Sequence, residues 1–209
     1  MGFDIREILI RAPVVLFALT LHEYMHGYVA WRCGDDTAQR AGRLTFNPLA
    51  HLDLVGTLCL LFGPIGWAKP VPVQPLNFRQ PRRDDVLVSG AGVAANFALG
   101  VALCLVLRAM AWMDAWPDSA PGLIALEMVV VGAVVNFALA VFNLLPIPPL
   151  DGSHIVRDLL PAGAARRFAR VGRYGFLLLI AAVLLNRQTG WLSWPVRTLV
   201  AFFVGERLL

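Results

Sequence analysis

Two histidines four residues apart, with a carboxylate beside the first, give this sequence its most chemically specific feature: His22-Glu23-Tyr24-Met25-His26 is an HExxH run. On a helix the i, i+4 spacing puts both imidazoles on one face, where they can share one metal ion, with Glu23 beside them as a candidate general base. The run lies inside an apolar stretch, where an ionised group costs a few kcal/mol, so it marks a functional site by default. The plainer reading is a polar patch satisfied by helix–helix hydrogen bonds or facing a water-filled cavity. A catalytic zinc needs a third protein ligand and an open position. Asp151 stands out because it follows the uncharged run Met128 to Leu150 and precedes Gly152, whose missing side chain lets the backbone turn tightly. His51, Asp53, Glu127 and His154 compete with it. Without the histidine pair, Leu150-Asp151-Gly152 would read as a helix terminator with a solvated carboxylate.

The elements that must position these groups are read from hydropathy. Of 209 residues, 58% are hydrophobic and 15% charged, against about 25% charged in soluble domains. The expected fold is an all-α polytopic membrane protein with about four to six membrane segments: a three-helix catalytic core, C-terminal segments, and a short β-strand or re-entrant region between the first two core helices. The first core helix spans 8–31, the second 86–110, and the third 122–152, ending in Leu-Asp-Gly. Between the first two, 41–75 carries polar–apolar alternation at Arg43 to Phe46 and the proline-rich Lys69 to Pro75, so extended strands or loops are expected. The 15-residue uncharged run Leu54 to Ala68 is short for a span and suits a re-entrant or half-buried helix. Two more apolar segments occupy 174–205 and suit a helical hairpin or an interfacial position. The whole, 1–209, reads as a single integral membrane domain with no room for an appended one. The first segment follows the mixed charges Asp4, Arg6, Glu7 and Arg11, runs too long for a secretory signal, and is expected to stay in the mature chain. Asn96-Phe97-Ala98-Leu99 and Asn136-Phe137-Ala138-Leu139 are identical tetrapeptides, read as helix-packing usage, not a repeat.

The net charge is +4, and Lys69 is the lone lysine among 18 basic residues. No basic stripe forms, which argues against nucleic acid as a partner. Arginines cluster at Arg79 to Arg83 and Arg157 to Arg173, while Ala109 to Glu127 has none, a positive-inside pattern. It places both clusters in the cytoplasm and the Asp114 loop outside. With Leu54 to Ala68 not crossing, the first and third helices both travel inward, bringing Asp151 near the level of His22 and His26 and leaving Glu127 toward the opposite face. Cys33, Cys59 and Cys104 are far apart with no CxxC, so all three read as structural.

HEYMH, Gly42-Arg43-Leu44-Thr45-Phe46-Asn47-Pro48-Leu49-Ala50-His51-Leu52-Asp53, Gly66-Trp67-Ala68-Lys69-Pro70-Val71-Pro72-Val73 and Phe142-Asn143-Leu144-Leu145-Pro146-Ile147-Pro148-Pro149-Leu150-Asp151-Gly152 occur in this order. Over about Leu21 to His154 the chain thus resembles the site-2 protease (peptidase M50) family of intramembrane zinc metalloproteases, most closely its small prokaryotic members without PDZ or CBS domains. The resemblance implies one Zn2+ per chain on His22, His26 and Asp151, Glu23 as the catalytic residue, and Asn143 as a polar helper near the substrate carbonyl. His51, Asn96 and His154 are supporting or substrate-positioning candidates. Two departures stand out: Gly92-Val93-Ala94-Ala95-Asn96 where such proteins usually show Gly-Pro-x-x-Asn, and Asp53-Leu54 where Asp-Pro is usual. Both bear on local helix shape and substrate fit.

The expected function is zinc-assisted hydrolysis of peptide bonds in or near membrane-spanning helices, that is, regulated intramembrane proteolysis. The expected location is the cell membrane, multi-pass, with the active site toward the cytoplasm and membrane-spanning proteins and the lipid bilayer as partners. The alternative is a non-proteolytic metal-binding or metal-transport protein. Glu23 favours the enzyme, since transit needs no general base, and the helix repeats usual in transporters are not found. A third possibility, an inactive protease relative, is disfavoured by intact catalytic positions.

Overall fold

A computed structural model describes residues 5–53, 56 and 67–205. Most of the expected re-entrant run Leu54 to Ala68, and Cys59 with it, lies outside the described residues. Among the described residues the architecture is all helical: α1 (Ile5–Arg32), the short α2 (Thr37–Arg40), α3 (Pro81–Met113), α4 (Ala120–Asn143), α5 (Asp151–Leu159), α6 (Ala162–Ala169), α7 (Gly175–Thr189) and α8 (Ser193–Val204). Among the described residues, α1, α3, α4 and the stretch Ala162–Thr189 are long and apolar enough to cross a membrane. The chain is thus a polytopic all-α membrane protein, at the lower end of the expected four to six segments.

Helix ends are set by capping chemistry as much as by hydropathy. Pro81 sits in the first turn of α3, where its missing N–H costs nothing, and Asp84 reaches back to accept the Gln80 N–H (2.8 Å). This carries α3 five residues beyond the apolar run. Asp114, left-handed at φ 50°, closes it. The Ser119 side chain accepts from the Gly122 N–H to start α4. The third helix does not run to Gly152 as expected. It ends at Asn143, because Pro146, Pro148 and Pro149 cannot continue it, and Asp151 instead opens α5.

Among the described residues, the expected strands reduce to one antiparallel bridge between Leu52 and Ala68. Among the described residues no ladder extends it, since Pro70, Pro72 and Pro75 supply no N–H. Lys69 to Gln74 is instead an extended strap pinned by other groups. Lys69 N–H donates to His51 O (2.8 Å) and Gln74 N–H to the Asp35 carboxylate (2.7 Å), while Arg43 donates to Lys69 O (2.7 Å).

The α1, α3 and α4 helices pack together, and α8 closes the bundle against α3 and α4 around Cys104, Leu107, Ala133, Phe137, Val196 and Val204. Small residues admit the close crossings that membrane helices need: a Cβ on Gly100 would lie 3.0 Å from the Phe137 ring. Arg6 and Glu127 pair at 2.9 Å near the starts of α1 and α4, so these two helices run in the same direction. The C-terminal helices α7 and α8 are joined by a turn at Gly190 (φ 67°), with Asn186 Oδ1 accepting from the Leu192 N–H (2.8 Å), but α8 packs on α3 and α4 instead of on α7, so the two do not form the expected packed hairpin.

Candidate metal centre

His22 and His26 lie one turn apart on the buried face of α1, 5% and 8% exposed. Their Nε2 atoms are 3.0 Å apart. Asp151, from the first turn of α5, brings one carboxylate oxygen to 3.1 Å from His22 Nε2 and 3.3 Å from His26 Nε2. One ligand atom from each of the three residues lies within 4.8 Å of the others.

Hydrogen bonds on the far side of each ring set its tautomer. His26 Nδ1 faces the Val88 carbonyl at 2.7 Å, so it must carry the proton. His22 Nδ1 faces Asn96 Oδ1 at 2.6 Å, and that amide orientation is fixed because both Asn96 amide protons are spent on Ala18 O (3.1 Å) and Asn136 Oδ1 (2.7 Å). With both imidazoles neutral, each Nε2 atom therefore presents a lone pair. The facing Asp151 oxygen is buried and, among the described residues, makes no hydrogen bond. Three lone-pair donors converging at 3.0–3.3 Å repel one another unless a cation sits among them, and two neutral imidazoles with a carboxylate are a set that zinc accepts. The residues present fit the metal.

The framework around these groups is close packed. A Cβ on Gly92 of α3 would lie 2.6 Å from His26 Nε2 and 2.7 Å from His22 Cε1. A Cβ on Gly152 would fall 2.2 Å from Leu144 O, so only glycine lets the start of α5 fold back on the end of α4. Arg157 ties α5 to α3, its guanidinium bonded to buried Asp85 and to Asp158 (2.9 Å). Outside the membrane segments, burial opposes ionisation of Asp35, but donors from Gln74, Thr37 and Asn77 outweigh it and hold this carboxyl below its ordinary range.

A cavity of about 460 Å3 joins the site residues. His22, Glu23, His26, Asn143, Asp151 and His154 all line it. Glu23 accepts the Val71 N–H at 2.8 Å, so the strap passes directly over the candidate base. His154, one turn beyond Asp151, has Nδ1 3.7 Å from Asp85. Asn143 donates to Leu139 O (3.0 Å). Asn96 stands behind His22. His51 lies apart, 2% exposed, with Nε2 on Thr45 O (2.9 Å) in the loop after α2. Glu127 pairs with Arg6, away from the cluster.

Asp85, Gly92, Asn136, Arg157 and the Val71 N–H were not singled out by the sequence as parts of the site. The signals available were Asp85 at the threshold of an apolar run, Gly92 one turn before Asn96, and the duplicated Asn-Phe-Ala-Leu.

Comparison with known proteins agrees with the donor set. The description "Peptidase family M50" matches residues 118–185. The chain is 38% identical over 184 residues to the Bacillus subtilis (strain 168) protein named "Putative zinc metalloprotease YwhC", covering 87% of this chain and 83% of that one. It is 33% identical over 181 residues to "Putative zinc metalloprotease Rip2" of Mycolicibacterium smegmatis, covering 84% of this chain and 67% of the relative. No solved structure matches. With relatives of this similarity over most of its length, and with two imidazoles and a carboxylate converging in its helical bundle, the chain belongs to peptidase family M50, the site-2 protease family, and is a zinc metalloprotease.

Proposed function

We propose that this metalloprotease hydrolyses peptide bonds in or near the membrane-spanning helices of its substrates, from a site turned toward the cytoplasm. The observation that carries this reading is the cavity shared by His22, Glu23, His26 and Asp151 within helices long enough to span a bilayer. His22, His26 and Asp151 hold one zinc ion. When bound, zinc supplies Lewis acidity, polarising the scissile carbonyl and making water nucleophilic near neutral pH. Glu23 keeps one oxygen on the Val71 N–H. Its other oxygen takes the proton from water as the water oxygen bonds to the carbonyl carbon, and passes it to the amine as the C–N bond breaks. Asn143 has one amide proton on Leu139 O and offers the second to the substrate carbonyl oxygen.

A helical substrate hides its peptide bonds in its own hydrogen bonds, so the scissile segment must unwind. The extended strap Lys69 to Gln74 supports docking of the unwound segment as an added strand. Orientation rests on charge: the arginines at 79–83 and 157–173 flank the helix ends that carry the site, and Ala109 to Glu127 contains neither lysine nor arginine.

The test is cleavage of a panel of single-span proteins by the purified chain. Glu23→Gln should keep full zinc and lose about 10²–10⁴ in rate. Equal cleavage by the two proteins removes Glu23 as the base. Asp151→Ala should lose zinc, and full stoichiometry in that variant moves the third ligand elsewhere. Labelling of a cysteine placed at 114–120 from the cytoplasmic side would overturn the orientation.

A further inference from the structure

The two Asn-Phe-Ala-Leu segments meet where α3 and α4 cross. Phe97 and Phe137 pack edge to face with centroids 5.5 Å apart, and Asn96 Nδ2 donates to Asn136 Oδ1 at 2.7 Å. Both asparagines are buried, Asn96 fully and Asn136 to within 2%. Among the described residues Asn136 makes no hydrogen bond to a candidate ligand, yet its orientation is fully determined. Its Nδ2 donates to Gly132 O one turn earlier (2.9 Å), which turns Oδ1 toward α3.

We propose that Asn136 is a positioning residue for the metal centre, acting through Asn96 to hold His22 in the tautomer that points a lone pair at zinc. A flipped Asn96 would set its oxygen against two acceptors, Asn136 Oδ1 and Ala18 O, and its NH2 against His22 Nδ1. His22 would then have to carry its proton on Nε2 and could not bind metal there. Removing Asn136 deletes one of the two contacts that forbid this flip, and leaves an Asn96 proton without its partner in a buried crossing. The duplicated asparagines are thus two links of one chain, Gly132 O to Asn136 to Asn96 to His22. The proposal rests on the reading of His22, His26 and Asp151 as zinc ligands.

The experiment is the zinc dissociation constant of the purified full-length chain in detergent micelles, by chelator competition, with the cobalt(II) absorption spectrum as a second signature. Asn136→Leu should weaken zinc binding by about tenfold or more. Asn136→Ser covers the case in which leucine prevents folding: serine bonds the Gly132 carbonyl itself but does not reach Asn96, and it should show the same loss. Asn136→Asp should stay close to wild type, because a neutral carboxyl keeps an O–H for Gly132 and an oxygen for Asn96. Once Asn96→Ala has cut the path to His22, adding Asn136→Leu or Asn136→Ser should change nothing further. Wild-type affinity in Asn136→Ser overturns the proposal, as does an undiminished effect of the Asn136 change in the Asn96→Ala background. His22→Ala separates the two levels. Full zinc retention there removes the ligand reading itself, whereas loss of zinc in His22→Ala with none in Asn136→Ser removes the Asn136 proposal alone.

Discussion

Gly92→Ala tests the geometry of the centre most directly. The added methyl would stand 2.6 Å from His26 Nε2, 2.7 Å from His22 Cε1 and 2.8 Å from His22 Nδ1, about 0.7–0.9 Å inside an ordinary contact of about 3.5 Å. Neither ring can step back freely, because each is anchored through Nδ1, to Val88 O at 2.7 Å and to Asn96 Oδ1 at 2.6 Å. Overpacking of this kind costs about 1–3 kcal/mol, and a strained buried hydrogen bond adds to it, while alanine returns about 1 kcal/mol of helix propensity. A net penalty of about 1–3 kcal/mol on the zinc-binding geometry corresponds to about 5- to 150-fold weaker zinc binding. Gly90→Ala is the control. It makes the same change two residues earlier on α3, where a Cβ meets nothing within 4 Å, and should leave zinc affinity unchanged. Chelator competition on the three purified proteins gives the answer. Zinc affinity in Gly92→Ala equal to that of wild type would refute the close approach of α3 to the imidazoles.

Two other perturbations probe the supports of the site. Arg157→Gln leaves Asp85 buried without its guanidinium and unties α5 from α3. With Arg157 itself about a third exposed, the expected loss is about 1–2 kcal/mol of stability, read as a lower melting temperature together with weaker zinc binding; unchanged values for both would show the tie to be idle. Asp35 links the α1–α2 turn to the strap, and because its carboxyl is held below its ordinary range in the folded chain, its contribution is complete above about pH 3.9 and fades as the pH falls through its depressed value. Asp35→Asn should therefore be less stable than wild type near neutral pH, with the gap closing on acidification. A gap that stays constant down to pH 2 would assign the effect to packing.

The three core helices, α1, α3 and α4, were legible because their signal is local. Hydropathy placed them at 8–31, 86–110 and 122–152, and the first two extend a few residues beyond those bounds. The misplaced ends have specific causes. Asp84 and Asp85 look like the outside of a span, but Pro81 and the Asp84 back-bond draw them into α3, where Asp85 becomes a buried partner for Arg157. Conversely, the apolar run through Leu150 reads as continuous helix, and its prolines split it so that Asp151 starts a new one. The proline-rich strap was legible as extended, but its contacts were not, because Val71, Lys69 and Gln74 bond to groups 18 to 48 residues away.

The sequence by itself determined the parts whose geometry is built into one helix. Four residues of spacing are enough to put His22 and His26 on a common face with Glu23 beside it, and an uncharged run is enough to carry that face into a membrane. Tertiary structure alone decided how Asp151 reaches both imidazoles, which ring nitrogens carry protons, and what holds them so. Those outcomes depend on side-chain contacts of about 3 Å between α1, α3, α4 and α5, set by Gly92 and Gly152 at the crossings and by the Asn96–Asn136 pair inside the bundle. Helical periodicity fixes the distance between neighbours on one element, whereas the distance between elements is fixed by which side chains are small enough, and which amides well enough paired, to let the backbones meet.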